Sequence, residues 1–165
     1  AELWRLAWPE DVATRGRWLE WQERSRRAIV ERLDDGNGDF LVSLSENGDR
    51  LVRRWGIWYA DATSSVFPAL WGVIPPDDPR AVAAWQNLNE SFPNWPELET
   101  GDTFPWVIIG YAAVVMGDLD RARRMRDAVR REIVDAGRPA GRWYCAEAGW
   151  LLRIEAALAE EALAA

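Results

Sequence analysis

Asp61–Arg80, DATSSVFPALWGVIPPDDPR, decides how the rest of the chain is read. Its first part belongs to an apolar stretch, Tyr59 to Val73, which is expected to form a buried helix. Thr63, Ser64 and Ser65 lower the helix propensity there, and Pro68 lies inside it. The stretch ends in Gly72-Val73-Ile74-Pro75-Pro76. Two acids then precede a proline: Asp77 or Asp78 is placed to cap a helix, and Pro79 fits its first position. One helix stops and its partner starts within a few residues, which is the pattern of a helical hairpin.

Upstream, Trp4 to Leu33 reads as helical. Pro9, Glu10 and Asp11 fit a first turn, and Trp18, Trp21, Ala28, Ile29 and Leu33 recur at roughly helical spacing. Asp34–Asp39 (DDGNGD) is a break rich in turn formers. Phe40–Ser45 alternates apolar and polar residues, Asn47–Gly48 signals a tight turn, and Leu51–Trp55 can pair back. Phe40–Trp55 is therefore read as a short β-hairpin or an ordered loop.

Downstream, the helix begun at Pro79 runs to about Ser91, and Phe92–Thr103, with Pro93, Pro96 and Gly101, forms an extended loop. Phe104 to Met116 is nearly all apolar and reads as a buried helix; Gly117-Asp118 turns the chain into an amphipathic helix from Leu119 to Ala136. Gly137–Gly141 breaks again, and Tyr144 to Leu163 is the last helix. The expected fold is all-α: six helices in three hairpins, with one small β-hairpin, in a single domain over 1–165.

Composition narrows the chemistry. The chain has no histidine and no lysine, one cysteine and twelve tryptophans. Ser-His-Asp and Cys-His catalysis need an imidazole; Schiff-base and P-loop chemistry need a lysine. Carboxylate, arginine, hydroxyl and aromatic faces remain. Carboxylates carry the acid/base work on a glycosidic bond, and indoles offer apolar faces with a polar edge. The net charge of −7 argues against a nucleic-acid surface. The one basic run, Arg121 to Arg131, alternates with acids and reads as a solvated helix face.

Cys145 alone forms no internal disulfide and is expected to be buried packing. No apolar run approaches the roughly 18–20 residues of a membrane span, and the default compartment is cytoplasmic. No metal and no cofactor is indicated. The Asp34–Asp39 run lacks the twelve-residue pattern and terminal glutamate of a calcium loop.

The Asp61–Arg80 stretch resembles glycoside hydrolase family 15, the glucoamylase-like enzymes, whose bacterial members carry a D-A-x-x-L-x-L-P-L-x-G-F-L-P-P-D-D-P-R pattern. Arg24–Phe40, Gly101-Asp102-Thr103-Phe104, Gly117-Asp118-Leu119-Asp120-Arg121-Ala122 and Gly141-Arg142-Trp143 follow in the same order as related segments there. The resemblance implies an (α/α)6 toroid of six helical hairpins and an inverting enzyme for α-glucosides, with one Glu as general acid and one as general base. This chain holds three hairpins and resembles the carboxy-terminal half. Ala1-Glu2-Leu3-Trp4 is too short to stand for the family's aromatic-Glu acid motif, and the segment before the last helix, where the base normally lies, is short. The implied partners are an oligosaccharide and another chain or copy that completes the toroid.

The acids are ranked accordingly. Glu147, in Trp143-Tyr144-Cys145-Ala146-Glu147-Ala148-Gly149-Trp150, sits among aromatics and small residues at a helix start and is the first catalytic candidate. Glu132 is the second, with Asp135 beside it. Glu97, Glu99 and Asp102 are candidate acceptors for sugar hydroxyls, next to Trp106. Asp61 is either a helix cap or a sugar contact, and Trp55, Trp58 and Tyr59 form the expected stacking platform. A second class stays open. Trp106, Gly110 and Tyr111, followed by Gly117–Ala122, also resemble one tetratricopeptide-type hairpin, which would make the chain a non-catalytic interaction module.

Overall fold

The computed structural model describes residues 6–137 and 143–164. The chain is all-α with one small β-hairpin. Its helices are α1 (Val12–Arg32), α2 (Phe67–Leu70), α3 (Pro79–Ser91), α4 (Val107–Val115), α5 (Leu119–Val129) and α6 (Cys145–Ala164). A wider turn, Trp58–Ala62, precedes α2, and another, Arg130–Val134, prolongs α5. Strands β1 (Ser43–Leu44) and β2 (Arg50–Leu51) pair antiparallel, Ser43 opposite Leu51 and Leu44 opposite Arg50. Gly48, at φ +87°, supplies the left-handed turn between them.

The caps follow from the sequence. Asp78 is the residue that caps α3: its Oδ1 accepts from the Arg80 amide at 2.9 Å, and Pro79 takes the first turn. The same carboxylate receives the Arg80 guanidinium at 2.9 Å, and that pairing holds Asp78 below the usual carboxylate range. Asp118 closes the α4–α5 turn, accepting from the Arg121 amide at 3.3 Å and from Trp85 Nε1 at 3.1 Å.

The core is built around α4. Val107, Ile109, Gly110, Ala112 and Ala113 of that helix are buried. They pack with Met125 and Val129 of α5 and with Leu151, Ile154 and Leu158 of α6. A Cβ on Gly110 would come within 2.8 Å of Met125 Cγ and 2.9 Å of Ile154 Cδ1, so α5 and α6 both close onto the bare backbone of α4. Trp85 and Leu88 of α3, with Trp95, extend this core. A smaller cluster of Phe40, Ala69, Ile74 and Ala81 holds Ile29, Val30 and Leu33 from the end of α1.

Two expectations change. The helix anticipated over Tyr59–Val73 is broken into the Trp58–Ala62 turn and α2. Ser64 Oγ donates to the Asp61 carbonyl at 3.1 Å and Ser65 Oγ to the Ala62 carbonyl at 2.7 Å, while Pro68 has no amide to offer, so side chains replace part of the helical ladder. Cys145 is exposed, because it opens α6 on the side away from the core. The arginine run from Arg121 to Arg131 stays at the surface as expected, and its side chains are ion-paired there. Arg130 Nε reaches Glu155 at 2.6 Å, Arg123 pairs with Glu161, and Arg124 Nε meets Glu97 at 2.7 Å. The start expected at Trp4 and the break at Gly137–Gly141 fall wholly or partly outside the described residues.

Candidate functional site

Four rings run in contact across the end of the molecule where α4 and α6 both begin. Tyr59 and Trp106 lie 4.8 Å apart between centroids, Trp106 and Phe104 5.0 Å, and Phe104 and Tyr144 6.0 Å. Tyr59 is 63% exposed and Tyr144 58%, so both ends of the row face solvent. Tyr59 has extended backbone angles inside its turn (φ −104°, ψ 134°), outside the helical range. Trp106 adopts a left-handed conformation, φ 47° and ψ 43°, as the residue that caps α4. A bulky residue seldom does so, and such outliers concentrate at functional sites. Asp102 Oδ2 accepts from Trp106 Nε1 at 2.9 Å, which fixes the indole edge and leaves a carboxylate beside the row.

Glu147 belongs to the same end. It is 4% exposed, and its Oε2 accepts from the Val107 amide at 2.8 Å. The first orphan donor of α4 is thus satisfied from α6. Burial pushes the Glu147 carboxyl above its ordinary pKa, against the lowering effect of the Val107 hydrogen bond. The result is a buried acid, disposed to hold a proton, next to Tyr144 and Trp106.

The structure divides the other sequence candidates. Of the expected Trp55–Trp58–Tyr59 platform, Tyr59 alone joins the row. Trp58 is a core residue, edge-on to Phe92 at 5.1 Å. Trp55 is half-buried, with the Arg53 guanidinium 5.4 Å from its ring centre. Asp61 is buried and faces inward: its Oδ1 accepts from the Arg54 amide at 2.7 Å. Its backbone carbonyl and the Ser64 hydroxyl accept from the buried Arg53 guanidinium, which also reaches Asp39 at 2.8 Å and the Phe40 carbonyl at 3.1 Å. These bonds pin the β-hairpin to the Trp58–Ala62 turn.

Glu99 is exposed and receives Asn94 Nδ2 at 3.0 Å. Glu132 is exposed and ion-paired with its neighbour Arg131 at 2.8 Å. Asp102 and Trp106 are brought together as expected, and Glu147 joins them. Phe104 and Tyr144 were missed as ring partners. The signal was present, since each adjoins a candidate in sequence, but their convergence depends on how α4 and α6 pack.

In the Asp34–Asp39 run, Asp34 takes the Gly36 amide at 2.7 Å and Asp35 the Asn37 amide at 2.7 Å, while Asp34 also meets Arg80 at 3.3 Å and Asp39 meets Arg53. Among the described residues no group of acids or thiols is clustered to hold a metal ion, and no helix is long and apolar enough to cross a membrane.

No protein-family model, curated protein or solved structure matches this chain. What the site can do therefore rests on its own chemistry. The rings meet at 31°, 76° and 35° to one another, so each offers its own apolar face, of the kind that packs against a pyranose, and the row is not one flat surface. The Asp102 carboxylate at its edge can accept a hydrogen bond from a hydroxyl. One buried carboxyl with a raised pKa can donate a proton at a pH where ordinary carboxylates cannot.

Proposed function

We propose that this chain binds an oligosaccharide on the Tyr59–Trp106–Phe104–Tyr144 row and serves in the hydrolysis of an α-glucoside. The observation that carries the proposal is the joining of that row, through Val107, to the buried acid Glu147. The left-handed Trp106 adds support, because it places a large ring at a helix start where most sequences would place a small polar cap. In this reading Glu147 is the general acid, its proton retained by burial. An inverting reaction needs a second carboxylate to activate water. Asp102, hydrogen-bonded to the row, and Glu132, at the surface, are the two to be separated by substitution.

The test is a tryptophan-fluorescence titration of the chain with maltose and isomaltose, together with a glucose-release assay. A saturable shift that is lost in Trp106→Ala supports the site, and release abolished in Glu147→Gln supports the acid. No response to either sugar would remove the proposal.

A second reading has its own support. Helix α1 has no buried residue and exposes Trp18, Leu19 and Trp21, as an interaction module would. That surface lies on an element separate from the ring row, and both functions can reside in one chain.

A further inference from the structure

Trp71, Tyr111 and Trp150 form a second aromatic group, which shares no residue with the Tyr59–Tyr144 row. Trp71 ends α2, Tyr111 lies in α4 and Trp150 in α6. Tyr111 and Trp150 are half-buried against the core, 5.5 Å apart between centroids and 30° from parallel. Trp71 meets Trp150 at 5.7 Å and 63°, and it remains 57% exposed. The two indoles make a corner, with Trp150 as its base and Trp71 as a wall that stands in solvent.

Arg153 completes the corner. Its guanidinium carbon lies 5.4 Å from the Trp150 ring centre and 5.5 Å from that of Tyr111. The sequence explains this placement. The positions three and four away on α6 are Gly149, Trp150, Ala156 and Ala157, and none carries a carboxylate. Glu147 is buried on the Val107 amide, Glu155 holds Arg130 and Glu161 holds Arg123, while Glu160 is seven residues on. A long side chain on a helix leans toward the N-terminus, which carries Arg153 back over Trp150. Among the described residues Arg153 has no hydrogen bond and no ion pair, only its two rings. The arginines of α5 that face acids, Arg121, Arg123 and Arg124, each hold a carboxylate instead.

A guanidinium over aromatic rings has given up part of its hydration and still carries five N–H donors in one plane. The rings hold it in place, so a carboxylate that takes two of those donors orders little. The other polar groups of the corner are the indole N–H groups and the Tyr111 hydroxyl, and it contains no carboxylate. A neutral sugar needs acceptors for its hydroxyls, which the ring row has in Asp102 and this corner lacks. A carboxylate only accepts. The open Trp71 face suits a flat apolar body beside that one charge.

We propose that Trp71, Trp150 and Arg153 form a binding site for a small aromatic carboxylate, whose ring packs on Trp71 and whose anionic group takes the Arg153 guanidinium. Tyr111 supports the guanidinium from α4. The site is independent of what the ring row binds.

The experiment is a titration of the full chain with benzoate, followed through the indole N–H signals in nitrogen–proton correlation spectra. The Trp71 and Trp150 signals, assigned by their loss in Trp71→Phe and Trp150→Phe, are expected to shift together. The expected dissociation constant is about 1 mM, in keeping with a ligand of so few atoms. Benzamide has the shape without the charge, and acetate the charge without the ring. Each is expected to bind at least about tenfold more weakly than benzoate. Cyclohexanecarboxylate, equal in charge and size, is expected to bind about threefold more weakly, since it lacks the aromatic face.

Arg153→Gln is expected to weaken benzoate binding by about tenfold while far-ultraviolet dichroism is retained, because the side chain is exposed. Arg153→Lys keeps the charge without the fork and is expected to fall between the two. The absence of a shift at either indole in about 20 mM benzoate overturns the proposal. So does benzamide or acetate binding as tightly as benzoate, or parent affinity in Arg153→Gln. A shift at Trp106 in place of Trp71 and Trp150 would also overturn it, and would assign the carboxylate to the ring row.

Discussion

Glu147 on the last helix accepts the backbone amide of Val107, the first residue of α4, at 2.8 Å. A single carboxylate thus both closes a helix end and stands behind the ring row. The two roles respond differently to substitution. Glu147→Gln keeps an acceptor for Val107 and is expected to fold with stability within about 0.5 kcal/mol of the parent at mildly acidic pH. Glu147→Ala leaves the buried amide unsatisfied and is expected to cost about 1–3 kcal/mol in urea denaturation. Loss of glucose release in the Gln variant alone would then report chemistry and not folding.

The pH dependence follows from the direction of the shift. Burial raises the Glu147 pKa in the folded chain, so the folded state binds that proton more tightly than the unfolded state. The stabilisation is fully present below the ordinary carboxylate range and is lost as pH rises through the raised value. Relative to Glu147→Gln, the parent chain is therefore expected to lose stability from mildly acid to neutral pH. A parent and a Gln variant with parallel pH profiles would remove the buried-acid assignment.

At Gly110 the packing tolerates no side chain. Ala has the higher helix propensity by roughly 1 kcal/mol, yet its Cβ would meet Met125 and Ile154 at 2.8 and 2.9 Å. Gly110→Ala is expected to lose about 1–3 kcal/mol net, and Met125→Ala in the same background to cost less than it does alone. Chemical denaturation of the four-member cycle measures the coupling.

Arg53 is the buried charge of the loop region. Its guanidinium serves Asp39, Phe40, Asp61 and Ser64 together. Arg53→Ala is expected to cost about 3–5 kcal/mol, since Asp39 loses its partner and three further acceptors lose a donor. Arg53→Lys cannot reproduce the forked geometry and is expected to recover only part of this.

Within the ring row, exposure sorts the aromatic variants. Tyr59→Ala is expected to change stability by no more than about 0.5 kcal/mol yet weaken any sugar response. Trp58→Ala, one residue away, removes a core side chain and is expected to cost about 3–5 kcal/mol. Equal effects on sugar response per folded molecule would contradict the division between the two.

The sequence was most informative where local chemistry determines structure. Asp78-Pro79, Asn47-Gly48 and Gly117-Asp118 each act within a few residues, and each turn or cap lies where the spacing placed it. It was less informative for Tyr59–Val73, where the serine hydroxyls and Pro68 compete with the helical ladder and hydrophobicity alone favoured one helix. The site divides the same way. Asp102 and Trp106, four residues apart, were legible as neighbours. That Tyr59 meets Trp106 across forty-seven positions is set by tertiary packing. So is the inward turn of Asp61 and Trp58, which look like surface candidates in the linear order.

The bare backbone at Gly110 has a consequence one turn away, at the start of α4. Because α5 and α6 both press onto that helix, the three cannot slide independently. Trp106 and Glu147 are carried on two of them, and Phe104 and Tyr144 flank their first turns. Conformational entropy for aligning these groups is therefore spent during folding, before any ligand arrives. A molecule that settles on the rings meets a surface already set, and little of its binding free energy is diverted into ordering the protein.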